Sequence, residues 1–228
     1  MSVDKQRAEF MVNVSHDLKT PLNAVIGFTS VLLQDHEQDS EKLHQLQLVY
    51  RSARLLLSRI DALTNFYRMQ AGVLASQLEW IEPGRWTKDL GEVFSESAEQ
   101  KGLKLEVLDT PTGPGKIKAS LKLLGFALDE LLSNAIKYTS SGSVTLEFAG
   151  LDKSVVWSVS DTGSGIKPEA LETLQKSLAG DSWEGLGLGL ALARQAAFLM
   201  NGRIEVDSSG AGGSRFRLIL NQSGDREG

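Results

Sequence analysis

Four clusters of residues have the types and spacing to do chemistry. The first is Ser15-His16-Asp17-Leu18-Lys19-Thr20-Pro21-Leu22, which sets a histidine beside a carboxylate and follows them with a proline. Apolar residues recur around it at Val14, Leu18, Pro21, Val25, Phe28 and Leu32, spacings of three and four that describe a helix seam. At 3.6 residues per turn His16 lies about 200° round the helix from Val14, and so faces outward. Pro21 has no N–H for the carbonyl of Asp17, and a bend is expected within a turn of the histidine. An exposed histidine and aspartate beside a kink read as a site, without yet fixing the reaction.

The second cluster is Glu130, Asn134 and Lys137, spaced four and three apart so that one helix face carries all three. A carboxylate, a hard amide oxygen and an ammonium on one stripe can hold Mg²⁺ and balance phosphate charge; alone, the same stripe also suits an ordinary solvated face. Third comes Asp161-Thr-Gly163-Ser-Gly165, directly after the apolar run Val155 to Val159. A carboxylate at a strand end can accept a hydrogen from adenine's exocyclic amine, and glycines let backbone approach a flat base; a tight hairpin turn is the plainer alternative. The fourth is Gly185-Leu-Gly187-Leu-Gly189 at the start of a helical stretch, where exposed N–H groups and the positive dipole end can receive an anion. A glycine-softened helix end would look the same. No apolar strand precedes Gly185, which excludes a dinucleotide fingerprint, and no Gly-Lys-Ser or Gly-Lys-Thr of a Walker loop occurs.

The elements that must position these clusters fall into two groups. A first helix is expected from Val3 to Leu33, a polar connection over Gln34 to Ser40, and a second helix through Leu46, Val49, Ala53, Leu56, Ile60, Leu63 and Tyr67, fading at Gly72. A lone hairpin has little to bury its seams against, so two copies are expected to pair as a four-helix bundle. After Gly72 the period changes. Strands are expected near Leu78 to Ile81, Leu103 to Leu108, Ser143 to Phe148, Val155 to Ser160, Ile204 to Val206 and Ser214 to Leu220, with helices from Pro83, Ser120, Pro168 and Leu186. That half reads as an α+β or mixed-sheet sandwich. The expected boundaries are residues 1–72 for the hairpin and 73–228 for the sandwich.

The 228 residues are 41% hydrophobic and 23% charged, enough for real cores in two small domains. A net charge of -5 argues against nucleic acid or an anionic membrane as the main partner. Absence of cysteine excludes disulfides, thiol nucleophiles and zinc ribbons. No apolar run approaches the roughly 20 residues of a membrane span, and no membrane contact is expected from this segment. His36 and His44 have no ligand-spaced partners and read as solvent-exposed.

Taken in order, Phe10 to Leu22, Asp129-Glu-Leu-Leu-Ser-Asn134-Ala-Ile-Lys-Tyr138, Asp161 to Ile166 and Gly185 to Leu190 resemble the H, N, G1 and G2 boxes of the sensor histidine kinases of two-component signalling. The resemblance spans Lys5 to Leu220. It implies an all-α hairpin forming a dimeric four-helix bundle, followed by an α/β sandwich of the Bergerat (GHKL) ATP-binding type, a mixed sheet with three helices. It implies His16 as phosphoacceptor, Asp17 as the neighbour that orients its ring and takes its proton, and Thr20 as a positioner of water for dephosphorylation. ATP would be bound by Asn134, Lys137, Tyr138, Asp161, Gly163, Gly165, Ile166, Gly185, Leu186, Gly187, Leu188 and Gly189, with Mg²⁺ on Asn134 and Glu130. Expected partners are a second copy of the chain and the receiver domain of a response regulator, in the cytoplasm, where the chain would be part of a longer sensor. An imidazole, with an ordinary pKa near about 6.5, is partly neutral at neutral pH, as attack on a phosphoryl group requires. Two departures stand out. No phenylalanine lies between Ile166 and Gly185, where the family carries an F box on its lid, and Glu130 replaces a common second asparagine. Trp183 is expected in that lid. A scaffold that transfers nothing, or a module biased to phosphatase action, are the alternatives.

Overall fold

Ser15 and Thr29 on the first helix, and Ala53, Ile60, Thr64 and Met69 on the second, are buried. In the computed structural model, which describes residues 3–34, 40–71, 78–109, 115–151, 154–180, 185–208 and 212–221, these residues lie on α1 (Val3–Gln34) and α2 (Ser40–Gln70). The two helices pack antiparallel, since Ser15 meets Thr64 and Lys19 pairs with Asp61. The helical assignment of α1 continues through Pro21. The connection expected over residues 34 to 40 and the cap expected at Gly72 fall largely outside the described residues, which omit 35–39 and Gly72.

The seam read from sequence is not the one that α1 turns toward α2. Leu18, Val25, Phe28 and Leu32 are exposed, Phe28 at 73%, as are Val49 and Leu56 of α2. The intrachain contact instead uses the stripe through Ser15 and Thr29, roughly 80° away at 100° per residue. Periodicity detects a stripe but not its partner, and α1 carries two adjoining stripes, one polar enough at Ser15 and Thr29 to escape an apolar count.

Residues Met1–Leu74 and Ala75–Gly228 form two compact units. The second contains β1 (Glu79–Ile81), α3 (Pro83–Gln100), β2 (Lys104–Asp109), β3 (Ile117–Ala119) and α4 (Leu121–Tyr138). After these come β4 (Ser143–Leu151), β5 (Ser154–Asp161), α5 (Pro168–Ala179), α6 (Leu188–Leu199), β6 (Gly202–Ser208) and β7 (Ser214–Asn221). Five strands form one sheet in the order β2-β4-β5-β7-β6; β2 and β4 are parallel and the other pairs antiparallel, which makes the sheet mixed, as expected. The sequence reading missed β3, which pairs with β1 in a separate two-stranded ribbon. Three residues beside a turn cluster are too few to show alternation.

Alternation in β4 turns Val144, Leu146 and Phe148 to one face, and the register sets Val159 and Trp157 opposite Leu146 and Phe148. Three helices cover that face, α3 toward β2, α4 over the centre and α6 toward β6, while a fourth, α5, packs along the edge strand β6. Leu123, Leu124, Leu128, Leu131 and Leu132 of α4 are fully buried. Trp157 donates its indole N–H to the Thr87 hydroxyl at 2.8 Å and meets Trp86 edge-on, which satisfies the one polar atom this large side chain takes into the core. The opposite sheet face carries Glu205, Asp207, Arg215 and Arg217, with Arg217 paired to both acids.

Candidate functional site

The alternation that buries Val155, Trp157 and Val159 brings Asp161 to the helix-covered face at the last position of β5, opposite Val144. Its carboxylate Oδ1 accepts the Gly163 N–H at 2.8 Å, a short local turn, and the Ser214 N–H also donates to the carboxylate. Burial pushes the Asp161 carboxyl above its ordinary value, an effect the two N–H donors partly offset. A half-buried acceptor with backbone donors on one side still has lone pairs to offer a ligand.

Glycines let three segments meet at this carboxylate. A Cβ on Gly163 would stand 2.6 Å from the Tyr138 carbonyl oxygen and 2.8 Å from Asp161 Oδ1, so the loop can touch the end of α4 only without a side chain. Gly213, at φ 90°, packs against the Asp161 carbonyl with no room for a Cβ. Ser208 ties the loop in place: it accepts the Ile166 N–H at 2.9 Å and donates to the Gly213 carbonyl at 2.8 Å. Gly213→Ala combines a strained φ with a backbone clash and is expected to cost about 1 to 3 kcal/mol. The check is the thermal unfolding midpoint, and an unaltered midpoint would mean that the loop can step aside.

Along α4, Glu130 and Asn134 are half-buried and Lys137 and Tyr138 exposed, with Lys137 Nζ 5.0 Å from the Tyr138 ring centre. The Glu130 carboxylate reaches the first turn of α6, where a Cβ on Gly189 would collide with it. Gly187 is the N-cap of α6 and offers no capping side chain, leaving first-turn N–H groups for another acceptor, while Gly185 takes φ 72°. Leu186 and Leu188 are half-buried beside them. Thus the structure joins Tyr138, Asp161 and Gly163 at the C-terminal end of α4 and Glu130 and Gly189 near its middle, about 12 Å apart at 1.5 Å per residue. Trp183 falls outside the described residues. Among the described residues no three His, Cys, Asp or Glu side chains form a metal cluster. Glu130 and Asn134 nevertheless fit Mg²⁺, which commonly takes one or two protein oxygens and completes its shell with phosphate and water.

In the helical unit the imidazole of His16 is 82% exposed and the Asp17 carboxylate 86%, with Nδ1 and Oδ1 3.7 Å apart. Thr20 is exposed and its hydroxyl donates to the His16 carbonyl at 3.1 Å. The preceding residue, Ser15, fixes the direction: its hydroxyl and that of Thr64 share a hydrogen bond between the helices, and the next side chain, 100° round, must point to solvent. Sequence reasoning did not find Thr64, Ser208 or the Ser214 N–H, because each contributes through a distant segment and none belongs to a periodic pattern or a glycine loop.

Residues 6–72 match the family model described as "His Kinase A (phospho-acceptor) domain", and residues 120–224 that of "Histidine kinase-, DNA gyrase B-, and HSP90-like ATPase". The "Sensor histidine kinase GacS" of Pseudomonas protegens is 32% identical over 97% of this chain and 25% of its own length. The "Autoinducer 2 sensor kinase/phosphatase LuxQ" of Vibrio parahaemolyticus is 28% identical over 94% of this chain and 26% of its own length. The chain thus spans about a quarter of these curated relatives. Among solved structures, full-length ShkA in complex with AMPPNP superposes with a TM-score of 0.74 at 26% identity, over 94% of this chain and 46% of that one. The Acinetobacter baumannii histidine kinase AdeS has the same fold at a TM-score of 0.64 and 19% identity, over 91% of this chain and 98% of that one.

Proposed function

The chain belongs to the sensor histidine kinases, whose phospho-acceptor and ATPase domains it carries in order, and on that premise we propose that His16 takes the γ-phosphoryl group of ATP and passes it to an aspartate of a response-regulator receiver domain. In this reading residues 1–72 are the dimerisation and phosphotransfer hairpin and residues 73–228 the catalytic ATP-binding domain. The observation that carries it is the Asp161 carboxylate, half-buried at a strand end with the Gly163 loop laid against α4. Such an acceptor suits adenine's amine. The stretch of α4 from Tyr138 to Glu130 then follows a nucleoside triphosphate from base to phosphates, and the first turn of α6, which meets Glu130 at Gly189, lies at the phosphate end.

The transfer breaks the bond from the γ-phosphorus to the bridging oxygen, forms a bond from phosphorus to an imidazole nitrogen, and releases ADP. The ring loses a proton, for which Asp17 is the adjacent acceptor. Little covalent chemistry is required of the protein beyond alignment and charge balance. Asn134 and Glu130 would hold Mg²⁺, which supplies neutralisation of the developing phosphate charge, and Lys137 adds an ammonium beside the same stripe. The second step reverses the roles, with a receiver carboxylate attacking phosphohistidine. Thr20, one turn from His16, would position water for the opposing phosphatase reaction.

Homodimerisation follows from the exposed apolar stripe of Leu18, Val25, Phe28 and Leu32 with Val49 and Leu56, which a second hairpin would bury as a four-helix bundle. Phe28→Asp puts a charge in the middle of that stripe and is expected to shift the protein from dimer to monomer in sedimentation; a persisting dimer would place the interface elsewhere. Among the described residues no helix is long and apolar enough to cross a membrane. We assign the segment to the cytoplasmic part of a longer sensor because it spans about a quarter of relatives named as sensor kinases. The reading as a whole is tested with γ-labelled ATP and Mg²⁺. Label that is lost in acid and kept in base supports phosphohistidine, whereas a folded protein that binds ATP and takes no label would be a scaffold.

A further inference from the structure

The last turn of α4 ends without a glycine cap. Thr139 follows it in extended conformation, and the carbonyls of residues 135 to 138 have no partners within the helix. Thr139 serves the first of them, donating its N–H and its hydroxyl to the Ala135 oxygen at 3.1 and 2.7 Å. The next two are taken from another element: Lys101 Nζ donates to the Ile136 and Lys137 carbonyls, both at 2.6 Å. The fourth, on Tyr138, is the oxygen against which Gly163 packs. Lys101 is itself held by the turn that closes α3, where its N–H bonds Ala98, the Gly102 N–H bonds Glu99 with Gly102 at φ 70°, and the Leu103 N–H returns to Ala98. A rigid turn thus delivers an ammonium to the negative end of α4, where two charge-assisted hydrogen bonds and the helix dipole act together.

We propose that Lys101 is a positioning residue of the nucleotide site: by clamping the Ile136 and Lys137 carbonyls it fixes the turn that presents Lys137 and Tyr138 and that the Asp161 to Gly163 loop leans on. The proposal rests on the assignment of that site to ATP. The Lys101 ammonium is engaged with the Ile136 and Lys137 carbonyls, so its loss is expected to act on placement of the binding groups and to leave phosphoryl transfer itself alone. Methionine keeps most of the side-chain length and removes the donors, whereas arginine can still reach two carbonyls.

The test compares wild type, Lys101→Met, Lys101→Arg and, as a control for loss of one exposed lysine, Lys118→Met. Mg-ATP affinity is read by calorimetry, autophosphorylation by its KM and kcat, and amide hydrogen exchange over residues 134–142. Lys101→Met is expected to weaken Mg-ATP binding and raise KM about fivefold to tenfold, with kcat within about twofold of wild type. Exchange should quicken in 134–142 and stay unchanged in β4 and β5, and Lys101→Arg should restore affinity. A Lys101→Met protein that binds Mg-ATP as wild type does, or that behaves like Lys118→Met, overturns the positioning role. So does a fall in kcat at constant KM. A wild-type protein that binds no nucleotide would sink the assignment of the site to ATP, and the positioning role with it; the first arm therefore separates the two failures.

Discussion

His16→Ala is expected to abolish acid-labile phosphate incorporation from ATP while leaving nucleotide affinity unaltered. Both halves of that expectation follow from where the residue lies. The imidazole is 82% exposed, so its removal leaves no cavity, and a surface substitution of this kind changes stability by no more than about 0.5 kcal/mol. The orienting contact sits one residue earlier, in the Ser15–Thr64 hydrogen bond between helices, and the substitution does not touch it. The groups proposed to bind nucleotide belong to the other compact unit. Alanine offers no nitrogen, and neither Asp17 nor Thr20 can replace it, since a carboxylate would give an acyl phosphate of different base stability and a hydroxyl a phosphate ester that survives acid. Labelled ATP, acid and base treatment, and calorimetry on the same samples decide the matter. Undiminished acid-labile label on the variant would exclude His16 as the acceptor.

Asp161→Asn should remove most nucleotide binding and yet leave the unliganded protein as stable as before, or more so. The Gly163 N–H occupies Oδ1 at 2.8 Å and the Ser214 N–H bonds the same carboxylate; an asparagine would keep both by turning its single oxygen to the two donors. Its amide nitrogen would then face the ligand, a donor against the exocyclic amine of adenine, itself a donor. An unmade bond of this kind costs about 1 to 3 kcal/mol, roughly a tenfold to hundredfold loss of affinity. Guanine presents a carbonyl oxygen at the same place, so the preference for ATP over GTP should narrow.

The stability half rests on sign. Burial raises the Asp161 carboxyl above its ordinary 3.8, so the native state holds this proton to a higher pH than the unfolded chain does. Stability from this group is greatest below the unfolded value and falls as pH rises through the native one. Asparagine does not ionise and escapes that loss. The unfolding midpoint of the variant should therefore match or exceed wild type at pH 7, with the difference shrinking in acid. A variant that is less stable at pH 7 would mean that the two N–H donors of Gly163 and Ser214, and not burial, decide the energetics of Asp161.

Much of the second unit is legible in the sequence because its signals are local. Alternation marked β4 and β5, prolines marked the starts of α3 and α5, and the spacing of Glu130, Asn134 and Lys137 put them on one side of α4. The residues alone left an α+β or a mixed sheet open and the family resemblance implied the mixed one, but which strands run parallel was not legible: β2 and β4 are separated by α4 in the chain, and no residue of either records its neighbour. Ribbon strand β3 was too short to carry a period.

In the helical unit the outward direction of His16 was readable from periodicity alone, but the identity of the buried stripe was not. Leu18, Val25 and Phe28 satisfy a heptad as well as any core would, and they are exposed. A helix destined for two neighbours carries two stripes, and a hydrophobic count favours the more apolar one, whichever partner it meets. The stripe that meets α2 is held partly by Ser15, Thr64 and the Lys19–Asp61 pair, polar groups that such a count discards.

What the sequence by itself determined is the set of chemical groups, their spacing along the chain and the family to which four ordered motifs belong. Each is a property of neighbours within a few residues, where helix and strand geometry leave little choice. Only the tertiary structure decided which groups meet: Gly163 on the Tyr138 carbonyl, Gly189 beside Glu130, and Lys101 on the last turn of α4, 35 residues away in the chain. Those contacts follow from the packing of α3, α4 and α6 over one sheet face, and packing is set by the summed burial of many residues, none of which encodes its partner alone.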